Sequence, residues 1–216
     1  MKKYTTIIFD LDGTLLDTLE DLKEAVNYAL EDAGYPVRST EEIRCFVGNG
    51  IRNLIERAVP NGTSVEDTDR VFEKFKEYYD KYATQKTVPY PGIVDMLKKL
   101  KNDGYNIAII TNKVQSAVDV LQKKFFYDTI KVAVGDKQGQ LRKPSPDTTQ
   151  YVMDYFSASK DETLFVGDSE VDIYTARNAE VDYVCVSWGF RTPEELLRAG
   201  AIDIVDNVEE LLKKIN

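Results

Sequence analysis

Short runs of apolar, β-branched and aromatic residues recur along this chain without polar alternation, and the first stops abruptly at two carboxylates, Asp10 and Asp12. Tyr4 to Phe9 is the first, followed by Asn106 to Thr111, Ile130 to Val134, Thr163 to Val166, Tyr183 to Ser187 and Asp203 to Val205. Runs of this length with no polar face suit strands buried on both sides, the condition of a parallel sheet covered by helices. Helical patterns separate the later runs. Ile93, Met96, Leu97 and Leu100 lead to a stop at Gly104, and Val114 to Phe125 reads as helix. A helix opened by Ser145 and Pro146 is expected to carry Tyr151, Val152, Tyr155 and Phe156 inward. Further helices are expected up to about Ala179, from Pro193 to Ala199 and from Val208 to Ile215. Such alternation predicts an α/β fold, a doubly wound parallel sheet with right-handed crossovers.

Between the first two strands the pattern is helical. Leu19, Leu22, Val26, Ala29, Leu30 and Ala33 recur at helical spacing, and Gly34 with Pro36 ends them. Thr40-Glu41-Glu42 starts a second helix, Ile51 to Ala58 forms a third, and Val71, Phe72, Phe75, Tyr78, Tyr79 and Tyr82 mark one face of a fourth. An all-helical insert of this size reads as a small cap domain. The expected division is a core of residues 1–16 and 87–216 and a cap of residues 17–86.

At 216 residues the chain can bury one good α/β core with a smaller insert, and a formal charge of −9 argues against nucleic acid and anionic membranes as partners. No apolar run approaches the ~20 residues that span a bilayer. Cys45 and Cys185 lie far apart without CxxC spacing, and no signal peptide precedes the first strand, so cytoplasmic thiols are expected. The chain has no His, which removes His bases and His-ligated zinc and leaves carboxylates, Lys and metal to carry any catalysis.

In open α/β sheets, ligands sit beyond the carboxyl ends of the strands. Those ends carry Asp10 and Asp12, Thr111 and Asn112, Lys143, and Asp168 with Asp172. Asp10-Leu-Asp-Gly-Thr read alone is also an ordinary strand-ending turn. Together, however, Asp10, Asp12 and Asp168 in one crevice repel one another unless a cation lies among them, and oxygen-only ligation points to Mg²⁺. Lys143 offers a compact charge for a phosphate, Thr111 a hydroxyl, and the strand-end N–H groups further donors.

Asp10-Leu-Asp-Gly-Thr, Thr111-Asn, Lys143-Pro and Gly167-Asp168-Ser with Asp172 resemble the four motifs of haloacid dehalogenase superfamily phosphatases, with a helical cap after the first motif. The resemblance implies a Rossmann-like core and a Mg²⁺-dependent phosphomonoester hydrolase working through an aspartyl-phosphate. Asp10 would be the nucleophile and Asp12 the general acid and base. Asp10 and Asp168 would hold the metal through carboxylates and Asp12 through its main-chain carbonyl. Thr111, Asn112 and Lys143 would bind phosphate, and Asp172 would orient Lys143 or a metal-bound water.

Within the superfamily, Phe46-Val-Gly-Asn-Gly resembles the phosphoglycolate phosphatase branch. Gly48, Asn49, Gly50 and Arg52 then either receive a substrate carboxylate or form a plain inter-helix turn with a solvated Arg. The expected partner is a small phosphorylated metabolite, phosphoglycolate favoured, acted on by a monomer or homodimer. The alternatives are a pyrophosphatase or other small-metabolite phosphatase, a β-phosphoglucomutase-like mutase, and a metabolite-binding protein without activity. Trp188 and Arg191 either border the site or simply pack.

Overall fold

The computed structural model describes residues 3–48, 50–137 and 142–216. Residues 138–141 and the candidate Asn49 lie outside the described residues. The chain divides into two compact units, Met1–Leu16 together with Pro89–Asn216, and Asp17–Val88.

The larger unit is built on a six-stranded sheet of β1 (Thr6–Phe9), β4 (Asn106–Val114), β5 (Val132–Asp136), β6 (Thr163–Gly167), β7 (Asp182–Val186) and β8 (Ile204–Val205). Their order is β5-β4-β1-β6-β7-β8, and every pairing is parallel. β1 lies between β4 and β6, with Ile7 opposite Ile107 on one side and Leu164 on the other. Two-sided burial accounts for the apolar runs. Ile7, Phe9, Ile107, Ile109, Leu164 and Val166 pack with residues of α5 (Ile93–Asn102), α6 (Gln115–Phe125) and α10 (Val208–Ile215). Ile8, Ala108, Ile110 and Phe165 join α7 (Asp147–Phe156) and α8 (Glu170–Ala179) on the opposite face. The 3₁₀ turn Lys160–Glu162 and α9 (Pro193–Arg198) complete this unit. The chain winds outward from β1 through β4 to β5, then returns to β6 and winds the other way. The ends of β1 and β6 therefore flank the point where strand order reverses, the usual place for a ligand crevice.

The smaller unit contains α1 (Leu19–Asp32), α2 (Thr40–Phe46), α3 (Ile51–Ala58) and α4 (Val65–Tyr82). Leu22, Val26, Leu30, Ile43, Leu54, Ile55, Val71, Phe75 and Tyr79 form its core, so the tyrosine-rich face of α4 is mainly packing. The unit extends to Val88, two residues beyond the expected boundary. Buried Asp21 ties down the returning chain, accepting from Thr87 N–H at 2.8 Å, Thr87 Oγ1 at 2.6 Å and Lys86 N–H at 3.1 Å. The chain passes between the units through two short strands, β2 (Leu16–Asp17) and β3 (Val88–Pro89), which the sequence pattern did not predict.

Two expectations need correcting. Tyr151 and Tyr155 do not point inward; they are 56% and 58% exposed, while Thr149, Val152 and Met153 form the buried face of α7. Adjacent apolar pairs offered two alternative faces, and Tyr, with its polar tip, tolerates the wet one. β4 also runs three residues past the expected Thr111, with an irregularity between Ile110 and Val114 that becomes important at the site.

Candidate active site

The hydrogen bond from Asp10 N–H to Val166 O, 2.9 Å, carries the β1–β6 ladder one residue past Phe9, and the chain then turns. Leu15 and Leu16 N–H both donate to Leu11 O, closing a tight loop in which Gly13 takes φ +89°. Only glycine serves here, because a Cβ on Gly13 would lie 2.3 Å from Asp168 Oδ2. The motif thus turns where it does so that its backbone can meet the carboxylate at the end of β6.

Asp168 is held from several directions. Thr14 Oγ1 donates to its Oδ1 at 3.0 Å and Phe190 N–H to its Oδ2 at 2.7 Å. Trp188 Nε1 donates to Thr14 O at 3.1 Å, and buried Arg191 forks onto Glu170 at 2.8 and 3.3 Å. The loop after β7 is therefore a strap across Asp168. It needs Gly189, where a Cβ would stand 2.3 Å from Asp168 Cβ and 2.4 Å from Gly13 O. Gly189→Ala is expected to cost about 1–3 kcal/mol through overpacking and to weaken divalent-cation binding with it. Thermal melts with and without Mg²⁺ check this, and an unchanged Mg²⁺-induced shift would count against the strap.

Lys143, 4% exposed, lies between two carboxylates, its Nζ 2.6 Å from Asp172 Oδ1 and 2.9 Å from Asp10 Oδ1. The Asp10 oxygen is buried, and the Lys143 ammonium is its ion-pair partner. Asp172 is fully engaged: its Oδ2 accepts from Ser169 Oγ at 2.6 Å, Ser169 N–H at 3.0 Å and Asp168 N–H at 3.2 Å, capping α8 while Oδ1 grips Lys143. Asn112 Nδ2 donates to Lys143 O at 3.1 Å, so its side chain anchors the Lys143 segment. Buried Thr111 accepts from Lys113 N–H through its Oγ1 at 3.2 Å.

Carboxylate oxygens of Asp10, Asp168 and Asp172 lie within 4.8 Å of one another. Burial pushes the Asp10 carboxyl up to about 7, with Lys143 opposing and Asp172 adding to the rise. Burial also holds Asp168 well above the carboxylate range, reinforced by the charges of Asp172 and Asp10. Burial works against the charge of Lys143, yet Asp10 and Asp172 keep it above the ordinary lysine value. Asp12 accepts from the buried Lys113 at 2.9 Å. Four carboxylates against two ammonium groups leave an excess of negative charge in a desolvated cluster. That cluster, an all-oxygen donor set from three neighbouring carboxylates, fits a hard divalent cation.

Lys113 and the Phe190 contact were not expected from the sequence; Trp188 and Arg191, read there as bordering the site or simply packing, form part of the strap. The only signal for Lys113 is its place after Thr111-Asn112. Phe190 acts through its backbone, which leaves no signal at all. Cys185 is buried, and burial pushes its thiol up to about 12, as suits an inert side chain. In the smaller unit, Gly48 and Gly50 take φ +124° and +83°, and Gly50 caps α3. Arg52 pairs there with Glu56 at 2.7 Å and with Asp69.

The haloacid dehalogenase-like hydrolase family matches this chain over residues 7–186. Phosphoglycolate phosphatase 1 of Pseudomonas aeruginosa is 33% identical over 95% of this chain and 78% of its own length. Phosphoglycolate phosphatase of Vibrio parahaemolyticus is 32% identical over 97% and 95%. Among solved structures, a provisionally named phosphoglycolate phosphatase from Lactobacillus delbrueckii subsp. bulgaricus superposes with a TM-score of 0.94 at 37% identity, covering 100% of this chain and 99% of that one. The chain belongs to the haloacid dehalogenase-like hydrolases. Within that family it is a phosphatase, similar along almost its whole length to proteins that carry that name.

Proposed function

We propose that this phosphatase is a Mg²⁺-dependent phosphomonoester hydrolase that works through an aspartyl-phosphate on Asp10, with phosphoglycolate as its favoured substrate. The observation that carries the mechanism is the placement of the buried Asp10 carboxylate, beside Lys143 and grouped with Asp168 and Asp172, at the reversal point of the sheet. A carboxylate at that position, its charge offset by Lys143 and a metal, can attack phosphorus in line. Mg²⁺, held by the carboxylates of Asp10 and Asp168 and the main-chain carbonyl of Asp12, would supply charge stabilisation for the transferring phosphoryl group.

Lys143 offsets the repulsion between the Asp10 carboxylate and a phosphate dianion. Thr111 Oγ1 and the N–H groups at the strand ends hold the remaining phosphate oxygens, while Asn112 keeps Lys143 in position through its carbonyl. Asp12 gives a proton to the leaving oxygen and takes one back from the hydrolytic water. Asp172 orients Lys143 rather than the metal, because both its oxygens are already engaged. The Asp17–Val88 unit is the cap. There Gly48 to Gly50 would receive the substrate carboxylate at the start of α3, with Arg52 nearby in sequence but paired with Glu56 and Asp69. The relatives' names favour phosphoglycolate.

The test is a panel of phosphate esters with and without EDTA. Phosphoglycolate is expected to give the highest kcat/KM and EDTA to abolish turnover. Equal rates across the panel would refute the substrate, and turnover in EDTA the metal. Conversion of a hexose phosphate to its isomer without phosphate release would favour a mutase.

A further inference from the structure

A buried lysine meets Asp12. Lys113 is 5% exposed, and its Nζ donates to Asp12 Oδ1 at 2.9 Å, where the Asp12 side chain is only 15% exposed. A lysine near a strand end ordinarily extends its ammonium into water, and burying the charge is costly unless a partner holds it. The backbone is shaped to keep it in. Ile110 pairs with Val134 and Val114 with Asp136, so Thr111, Asn112 and Lys113 together oppose the single residue Gly135. A Cβ on Gly135 would lie 2.7 Å from Lys113 O, so the bulge needs a glycine opposite. Lys113 N–H is in turn fixed on Thr111 Oγ1. The phosphate-binding Thr and the lysine on Asp12 thus share one bulge.

We propose that Lys113 is a positioning residue that gives the two oxygens of Asp12 different tasks. The ammonium only donates, so Oδ1 is taken by Lys113 and Oδ2 is the oxygen left for proton exchange. This rests on the reading of Asp12 as the proton donor. As the bond from Asp10 to phosphorus forms, the bond from phosphorus to the ester oxygen breaks and its electron pair stays on that oxygen. The ester oxygen takes the Oδ2 proton and departs as an alcohol, leaving Asp12 a carboxylate still held at Oδ1. Water then attacks the phosphorus, returns a proton to Oδ2 and frees Asp10 with release of phosphate.

The test compares Lys113→Met with the wild-type protein on an alkyl ester, phosphoglycolate, and on p-nitrophenyl phosphate, whose leaving group needs no proton. The expected result is a fall in kcat of about 10²-fold or more on the alkyl ester. On the aryl ester the rate of phosphoenzyme formation, read in a single turnover, is expected to stay within about tenfold, because there only the later attack of water needs Asp12, and KM is expected to be unchanged on both. Lys113→Arg is expected to recover part of the alkyl-ester rate. In an Asp12→Asn background, Lys113→Met is expected to cost nothing further, because its effect passes through Asp12. Equal losses in the rate of phosphoenzyme formation on both esters would overturn the assignment, as would a raised KM with kcat intact or additive losses in the double variant. Wild-type protein inert on both esters would instead overturn the phosphatase reading, and the assignment with it.

Discussion

Asp10→Asn is expected to lower turnover by about 10⁴-fold or more while leaving the protein folded, because the change removes the nucleophile and keeps its shape. The same variant reports on the charge stored in the site. In the metal-free wild-type protein, burial raises the Asp10 carboxyl to about 7 and holds Asp168 high as well. Between the unfolded carboxylate value and about 7, the native state therefore binds protons that the unfolded chain has already lost. Stability then falls as pH rises through that window. Metal-free wild-type protein should melt at lower temperature at about pH 7.5 than at about pH 5. Added Mg²⁺ should remove most of the difference, and Asp10→Asn should reduce the metal-free dependence, leaving the part that belongs to Asp168. A melting temperature that rose over the same interval in metal-free wild-type protein would contradict this electrostatic account.

Lys143→Met is expected to be the most destabilising single change at the site. Lys143 is the cation between Asp10 and Asp172, and without it two buried carboxylates face each other. Removing one partner of a buried ion pair costs about 3–5 kcal/mol, or about 10 °C in melting temperature for a chain of this size. Activity should fall by at least about 10²-fold, since a charge facing the transferring phosphoryl group is lost. Lys143→Arg should restore little, because the planar guanidinium is not a compact point charge and the site is filled. Mg²⁺ should recover part of the stability and none of the rate. Urea melts at two Mg²⁺ concentrations with parallel assays would check this, and a metal-free midpoint equal to wild type would show that Lys143 does not balance the cluster.

Much of the fold was legible because two-sided burial leaves a plain mark. Ile7, Ile8 and Phe9 have no polar alternation since odd and even positions face different helical layers. The helices at Leu19, Ile51, Ile93 and Val208 begin where periodicity and turn residues place them. Tyr151 and Tyr155 were misread because an amphipathic ring fits either side of a helix. The short strands β2 and β3 were missed because two-residue pairings have no periodicity.

At the site, the sequence pointed to Asp10, Asp12, Thr111, Asn112, Lys143, Asp168 and Asp172 through their places at strand ends, and the close grouping of Asp10, Lys143, Asp168 and Asp172 is a matter of distances. The sequence determined which chemistry was available: carboxylates, lysines, a hydroxyl and no imidazole. It also determined that these groups would gather at one edge of a parallel sheet, because parallel strands place all their carboxyl ends on the same side. Only the tertiary structure decided how each charge is paired. Asp172 belongs to the α8 cap and Lys143, Lys113 is turned into Asp12 by a bulge opposite Gly135, and the Phe190 backbone holds Asp168. Pairing depends on angles and ångström separations between segments far apart in the chain, and a local sequence pattern does not encode those quantities.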